Sequence, residues 1–320
     1  MALLRNAVPG RPAGGFSPGE KSTAVASAPC QILPEESVVA VGAPQRYIRR
    51  RGVGRERRRR TERGRAMLKA VFVTARDIPD LWYQLVRKAV EEGREYKVDK
   101  GSTPTKRWEL DFVSAQITHP GTRPLEPDIP PGVGIPNPVE PGYAEKYLPY
   151  YMTDVAQPGE HYTYGQDLAW QIDWVIDYYR THGPGTKHCY MTVGRPESLL
   201  FYDTSVDYEE VIRVADRATG TVLRTRTLSN AFNKNEPGTT QCLRGVDTAI
   251  KYGKLHFSVH FRSWNLWNGL PANLACLQLV KEYMAQQIGV EDGEMFITCL
   301  KLGLAEAYFD LARLRLYLYP

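Results

Sequence analysis

The chain has 320 residues, 42% hydrophobic and 24% charged, enough to bury a large core in one or two domains. No apolar run approaches the ~20 residues that span a bilayer, and Met1-Ala2-Leu3-Leu4-Arg5 lacks the continuous apolar stretch of a secretory signal, so a cytoplasmic protein without a membrane partner is expected. The net charge of +5 belongs to a tail: residues 1–66 hold 14 Lys and Arg against 5 Glu, or +9, which leaves −4 on the remainder.

That tail is rich in Pro, Gly, Ala, Ser and Arg and ends in the runs Arg49 to Arg51 and Arg57 to Arg60. It has too little apolar surface to offset its ordering entropy and is expected to be disordered. Clustered arginine can bind nucleic-acid phosphates, but no aromatic residues interleave the runs, so the tail reads as an extension, with Met67 as an alternative start, and no nucleic-acid partner is expected.

From Met67 onward strand and helix patterns alternate. Residues 71–74 read as a strand, and Asp80 as the N-cap of a helix to residue 92, with Trp82, Leu85, Val86, Ala89 and Val90 on one face and Gly93 closing it. Residues 110–118 read as a strand, 120–141 as a proline-rich loop and 167–180 as a helix carrying Leu168, Ile172, Val175 and Ile176. Residues 189–193, 211–214 and 255–261 read as strands, and 274–288 as a helix stopped by Gly289. With no repeat and no second linker, residues 67–320 form one expected α/β (α+β) catalytic domain after the 1–66 extension.

The five cysteines, Cys30, Cys189, Cys242, Cys276 and Cys299, are odd in number and lack C-x-x-C spacing, which argues against a disulfide framework or a zinc site. His256 and His260 share a strand face with Ser258, and that spacing makes no metal site without further ligands. Neither a P-loop nor a strand-linked G-x-G-x-x-G is present. Cys242 stands apart because it falls at a loop-to-strand junction, after Asn235 to Gln241. One strand later come Arg262-Ser263, then Asn265, then Gly269-Leu270-Pro271-Ala272-Asn273. These supply a candidate nucleophile, a cation and hydroxyl suited to a phosphate, and an amide able to read a base edge. A guanidinium beside Cys242 would favour its thiolate, and Arg262 is the candidate.

Cys242, Arg262-Ser263 and the Gly269-x-Pro271-x-Asn273 run resemble the thymidylate synthase superfamily from about Met67 to the C-terminus. The resemblance implies a mixed sheet flanked by helices and a sheet-to-sheet homodimer with shared active sites. It also implies Cys242 attack on C6 of a pyrimidine nucleoside monophosphate, with 5,10-methylenetetrahydrofolate giving the one-carbon unit. On the same basis Arg262 and Ser263 bind phosphate, joined by Lys100 and by Lys187 of the Lys187-His188 pair, one of them from the partner subunit. Asn273 reads the base, and its carboxamide suits uracil or, flipped, cytosine; a helix N-cap role before Leu274 is compatible. Tyr164, in Tyr164-Gly165, matches the active-site tyrosine, and Glu145, or alternatively Glu140, the proton-moving glutamate.

The departures also inform. Leu243 stands where a histidine follows the nucleophile, and Asn265 where an aspartate contacts the folate ring. Gly303 and Ala305 stand where a histidine and a tyrosine hold the deoxyribose 3′-hydroxyl. Vacated volume on the sugar side suits the added 2′-hydroxyl of a ribonucleotide. The chain therefore resembles most the pyrimidine-nucleotide 5-hydroxymethylase branch serving nucleoside-antibiotic pathways, with CMP as the expected substrate. Reductive methylation of dUMP or UMP is the enzymatic alternative, and nucleic-acid binding led by the arginine tail the non-enzymatic one.

Overall fold

The structure is a computed structural model that describes residues 67–98, 105–155, 162–194, 209–215, 221–229 and 241–318. The segment 1–66 and Lys100 lie outside the described residues. The elements in chain order are β1 (Ala70–Ala75), α1 (Ile78–Glu92), β2 (Arg94–Val98), β3 (Thr105–Leu110), β4 (Phe112–Ile117), α2 (Tyr143–Tyr147), α3 (Pro149–Met152) and α4 (Gly165–His182). After these come β5 (Tyr190–Thr192), β6 (Glu209–Ala215), β7 (Val222–Ser229), β8 (Leu243–Lys251), β9 (Lys254–Phe261), β10 (Trp264–Asn265), α5 (Gly269–Ile288), β11 (Glu291–Cys299), β12 (Leu302–Ala305) and α6 (Phe309–Arg315).

Among the described residues a mixed sheet runs in the order β1-β4-β11-β9-β8-β5, a smaller one in the order β10-β12-β3-β2, and β6 pairs with β7. Alternation gives the large sheet two unlike faces. Val71, Val73, Val113, Ile117, Phe257, Val259, Met295 and Ile297 are buried on one face, where α1, α4 and α5 pack. The other face carries Phe72, Ser114, Gln116, Ser258, His260, Phe296 and Tyr190, with Phe72 74%, Tyr190 49% and Phe296 38% exposed.

Several boundaries differ from the sequence expectation for local reasons. Helix α1 begins two residues before Asp80, because Asp77 is the cap: its Oδ1 accepts from Asp80 N at 2.9 Å, and Pro79 falls in the first turn, where a missing N–H costs nothing. The expected strand 110–118 is two strands in different sheets. Asp111 marks the corner, its carboxylate accepting from Lys69 N at 3.1 Å and Arg94 Nη2 at 2.5 Å. Helix α5 reaches back to Gly269, since Pro271 is tolerated in a first turn. Residues 120–141 contain no helix or strand, as expected.

Trp82 of α1 ties these layers to the segment between the motifs. Its Nε1 donates to Trp267 O at 2.9 Å, and the two rings meet edge-on at 5.1 Å. No helix of the described residues is long and apolar enough to cross a membrane.

Candidate active site

The β8–β9 hairpin builds the centre of the site. Its register places Leu243 opposite Phe261, which sets Cys242 beside Arg262: Arg262 N donates to Cys242 O at 2.9 Å, and Arg262 Nε to Gln241 O at 3.2 Å. The register slips between Leu243 and Gly245, a bulge that re-aims the start of β8 next to the cysteine. A Cβ on Gly245 would come within 2.0 Å of the Tyr190 hydroxyl, so a larger residue there would displace that ring.

The Cys242 thiol is half-buried, and its titration corrects a simple expectation. Burial pushes it above the ordinary thiol value, with Arg262 opposing, so in the unliganded protein desolvation outweighs the guanidinium.

Tyr164 stands at the start of α4, and its hydroxyl accepts from Leu243 N at 3.4 Å. It is buried, and both desolvation and the neighbouring Tyr162 hold its hydroxyl protonated. Around it the rings of Tyr150, Tyr151 and Tyr162 lie 5.3, 4.9 and 5.7 Å away, and Tyr147 stacks on Tyr150 at 4.7 Å. Burial also raises Tyr162, and the nearby Cys242 charge adds to the shift. This aromatic wall was not anticipated from sequence. Its signal was the crowding of six of the 19 tyrosines into residues 143–164.

Beyond Arg262 the chain turns through half-buried Ser263 into β10. Trp264, stacked on Phe261 at 3.7 Å, donates its Nε1 to Asn273 Oδ1 at 2.8 Å. This contact sets the Asn273 carboxamide with its oxygen toward the indole and its nitrogen as the group offered elsewhere. Asn273 lies inside α5, whose cap position is Asn268, so the N-cap reading is corrected. Asn265 is exposed, and its Oδ1 accepts from Trp267 N at 3.1 Å.

Strand β12 continues this surface, pairing Gly303 with Asn265 on one side and with Glu109 on the other, and Ala305 with Arg107. A Cβ on Gly303 would meet Arg107 Cδ at 3.2 Å. The missing side chain therefore makes room for Arg107, not for empty space, a point hidden from sequence because Arg107 is about 200 residues away along the chain.

Two further candidates lie elsewhere. Glu145 is exposed and lines a cleft with Arg123, Asn137 and Gly142, while Tyr147, about 200° around the same helix, faces the tyrosine wall. It is thus not among the groups gathered at the thiol. Lys187 is exposed in the turn ahead of β5, beyond the pairing of Tyr190 with Asp247, toward the far end of β8 from Cys242.

No protein-family model matches the chain, and no curated protein does. Among solved structures it is similar to thermostable thymidylate synthase A from Bacillus subtilis, at 15% identity and a TM-score of 0.50, over 75% of this chain and 84% of that one. The fold is the thymidylate synthase fold. It is an α+β architecture with mixed sheets flanked by helices, as the sequence implied.

Proposed function

We propose that the chain is a folate-dependent one-carbon transferase that hydroxymethylates C5 of a pyrimidine ribonucleotide, CMP foremost. The observation that supports the reading is that, on the thymidylate synthase fold, Arg262 lies beside Cys242 and the Tyr164 hydroxyl meets the residue after it, with Ser263 and the Asn273 amide following on the same stretch of chain. Such a set suits covalent activation of a base whose C5 is otherwise a weak nucleophile.

In this reading Arg262 and Ser263 hold the phosphate, and its dianion fixes the guanidinium next to the thiol. Lys187 of the partner subunit and Lys100 complete that charge. Asn273 meets the base through Nδ2, a donor that N3 of cytosine or O4 of uracil can accept. Cys242 adds to C6, which makes C5 nucleophilic; Tyr164 keeps its proton and orients the start of β8 beneath the base. Asn265 fits the pterin as a donor, because Trp267 already engages its Oδ1. When bound, 5,10-methylenetetrahydrofolate supplies the one-carbon unit at C5. With the C5 proton lost and tetrahydrofolate leaving, water would add its hydroxyl to the methylene left on C5, and expulsion of the Cys242 thiolate from C6 would restore the C5–C6 double bond and release the hydroxymethyl nucleotide. Asn265, which lacks an aspartate's charge, supports water over hydride, and Gly303, whose missing side chain admits Arg107 where a histidine would hold a deoxyribose, supports ribose over deoxyribose.

The exposed Phe72, Phe296 and Tyr190 on the uncovered face of the large sheet support a homodimer packed sheet to sheet, with a cytoplasmic enzyme the simplest setting. The test is mass spectrometry of the protein supplied with methylenetetrahydrofolate and an equal mixture of CMP, UMP, dCMP and dUMP. Hydroxymethylated CMP as the main product supports the reading; methylated dUMP or UMP, released with dihydrofolate, replaces it with reductive methylation.

A further inference from the structure

Strand β3 brings two charged side chains to the same face as the candidate site. Arg107 and Glu109 are two residues apart, so they share a face, and their cross-strand partners are Ala305 and Gly303 of β12. Glu109, Gly303 and Asn265 therefore form one row over three adjacent strands, roughly 10 Å from end to end. Glu109 is 5% exposed, a carboxylate that has left water, and Arg107 Nη2 neutralises it at 2.6 Å. The Arg107 side chain crosses Gly303 and stays 35% exposed, while its Nε is buried without a hydrogen-bond partner among the described residues.

A structural ion pair on a sheet face gains nothing from lying across a glycine. A ligand-reading guanidinium does, because the missing Cβ lets it lie flat against the strand; with Nε buried and Nη2 shared with Glu109, the end-on Nη1–Nη2 edge is the fork left for a ligand. Taking the pyrimidine-ribonucleotide reading as premise, the phosphate at Arg262 and Ser263 and the base at Asn273 leave the sugar to the strand beside β10, which is β12. We propose that Arg107 is the specificity-determining residue for ribose, its forked donors reaching the oxygens of the 2′,3′-diol, and that Glu109 is the positioning residue that holds the fork over Gly303. A guanidinium offers two parallel N–H groups, and a vicinal diol offers two acceptor oxygens at matching spacing. A pterin edge, the other ligand near Asn265, presents mainly donors and gives the fork no match.

The test compares kcat/KM for CMP and dCMP in the full-length wild type, in R107K, and in the double variant R107M/E109Q, which removes both charges and strands neither. Thermal melts check that each variant folds. A site built to hydrogen-bond a hydroxyl discriminates strongly against its absence, so the wild type should prefer CMP and both variants should lose that preference by about tenfold or more. The loss should fall mainly on KM for CMP and leave dCMP within about twofold, an effect that loosened folding does not produce. If R107K keeps the wild-type preference, the assignment of Arg107 is overturned while the ribonucleotide reading stands. If the wild type takes dCMP as readily as CMP, both fall. A variant whose defect lies in KM for the folate overturns the ribose assignment in favour of a pterin contact.

Discussion

Lys281 gives a sharp test of the polar network beneath the core. It is fully buried on α5, donates to Gly293 O, and lies 3.3 Å from Asp292 Oδ1, which shares its carboxylate with Gln278 Nε2 at 2.8 Å. Burial drives its pKa down to about 8, with Asp292 opposing. A lysine with its folded pKa below its unfolded one destabilises the fold most when both states are protonated, below about pH 8. As pH rises from about 8 toward 10.4, the folded state sheds the proton that the unfolded state keeps, and stability rises. Integrated from pH 8 to pH 10, the linkage amounts to about 2 kcal/mol. Replacing Lys281 by methionine keeps the length and removes the titration. Urea unfolding of wild type and K281M at several pH values should show the stability difference between them shifting by about that amount in favour of wild type from pH 8 to 10, the tyrosines and cysteines common to both cancelling. Parallel pH profiles would refute the burial argument.

Three other outcomes follow from the site and its supports. Substituting Cys242 by alanine should abolish turnover and leave nucleotide binding within about threefold, read by calorimetry, since the thiol supplies a bond and not affinity; substantial residual turnover would contradict covalent attack. Trp82→Phe removes the indole donor to Trp267 O and some buried volume, and should cost about 2–3 kcal/mol in denaturant unfolding while weakening the site the 264–268 segment supports. Phe296→Arg places a charge in the middle of the bare sheet face; sedimentation should show a monomer, and activity should fall with it if the sites are shared.

Much of the fold was legible because helices α1, α4 and α5 and strands β1 and β9 declare themselves by apolar periodicity. The small sheet was not: β10 has two residues and β12 four, and β2 and β3 are polar edge-like segments whose pairing, not composition, makes them strands. Of the candidate site, Cys242, Arg262, Ser263 and Asn273 were legible through the resemblance that their motifs carry. Contacts between distant segments were hidden, such as Trp264 setting the Asn273 amide, Tyr164 meeting the start of β8, and Arg107 lying across Gly303. Glu145, suggested by the resemblance, lines a cleft with Arg123 and Asn137, a setting that depends on the 120–141 loop and that α2 alone does not reveal.

The most direct measurement of the central claim is turnover of CMP with methylenetetrahydrofolate in oxygen-18 water, followed by mass analysis of the nucleotide. The account predicts a 5-hydroxymethyl-CMP whose new oxygen carries the heavy isotope, formed by wild type and not by C242A. An unlabelled methyl product, or a product formed equally without Cys242, would contradict it.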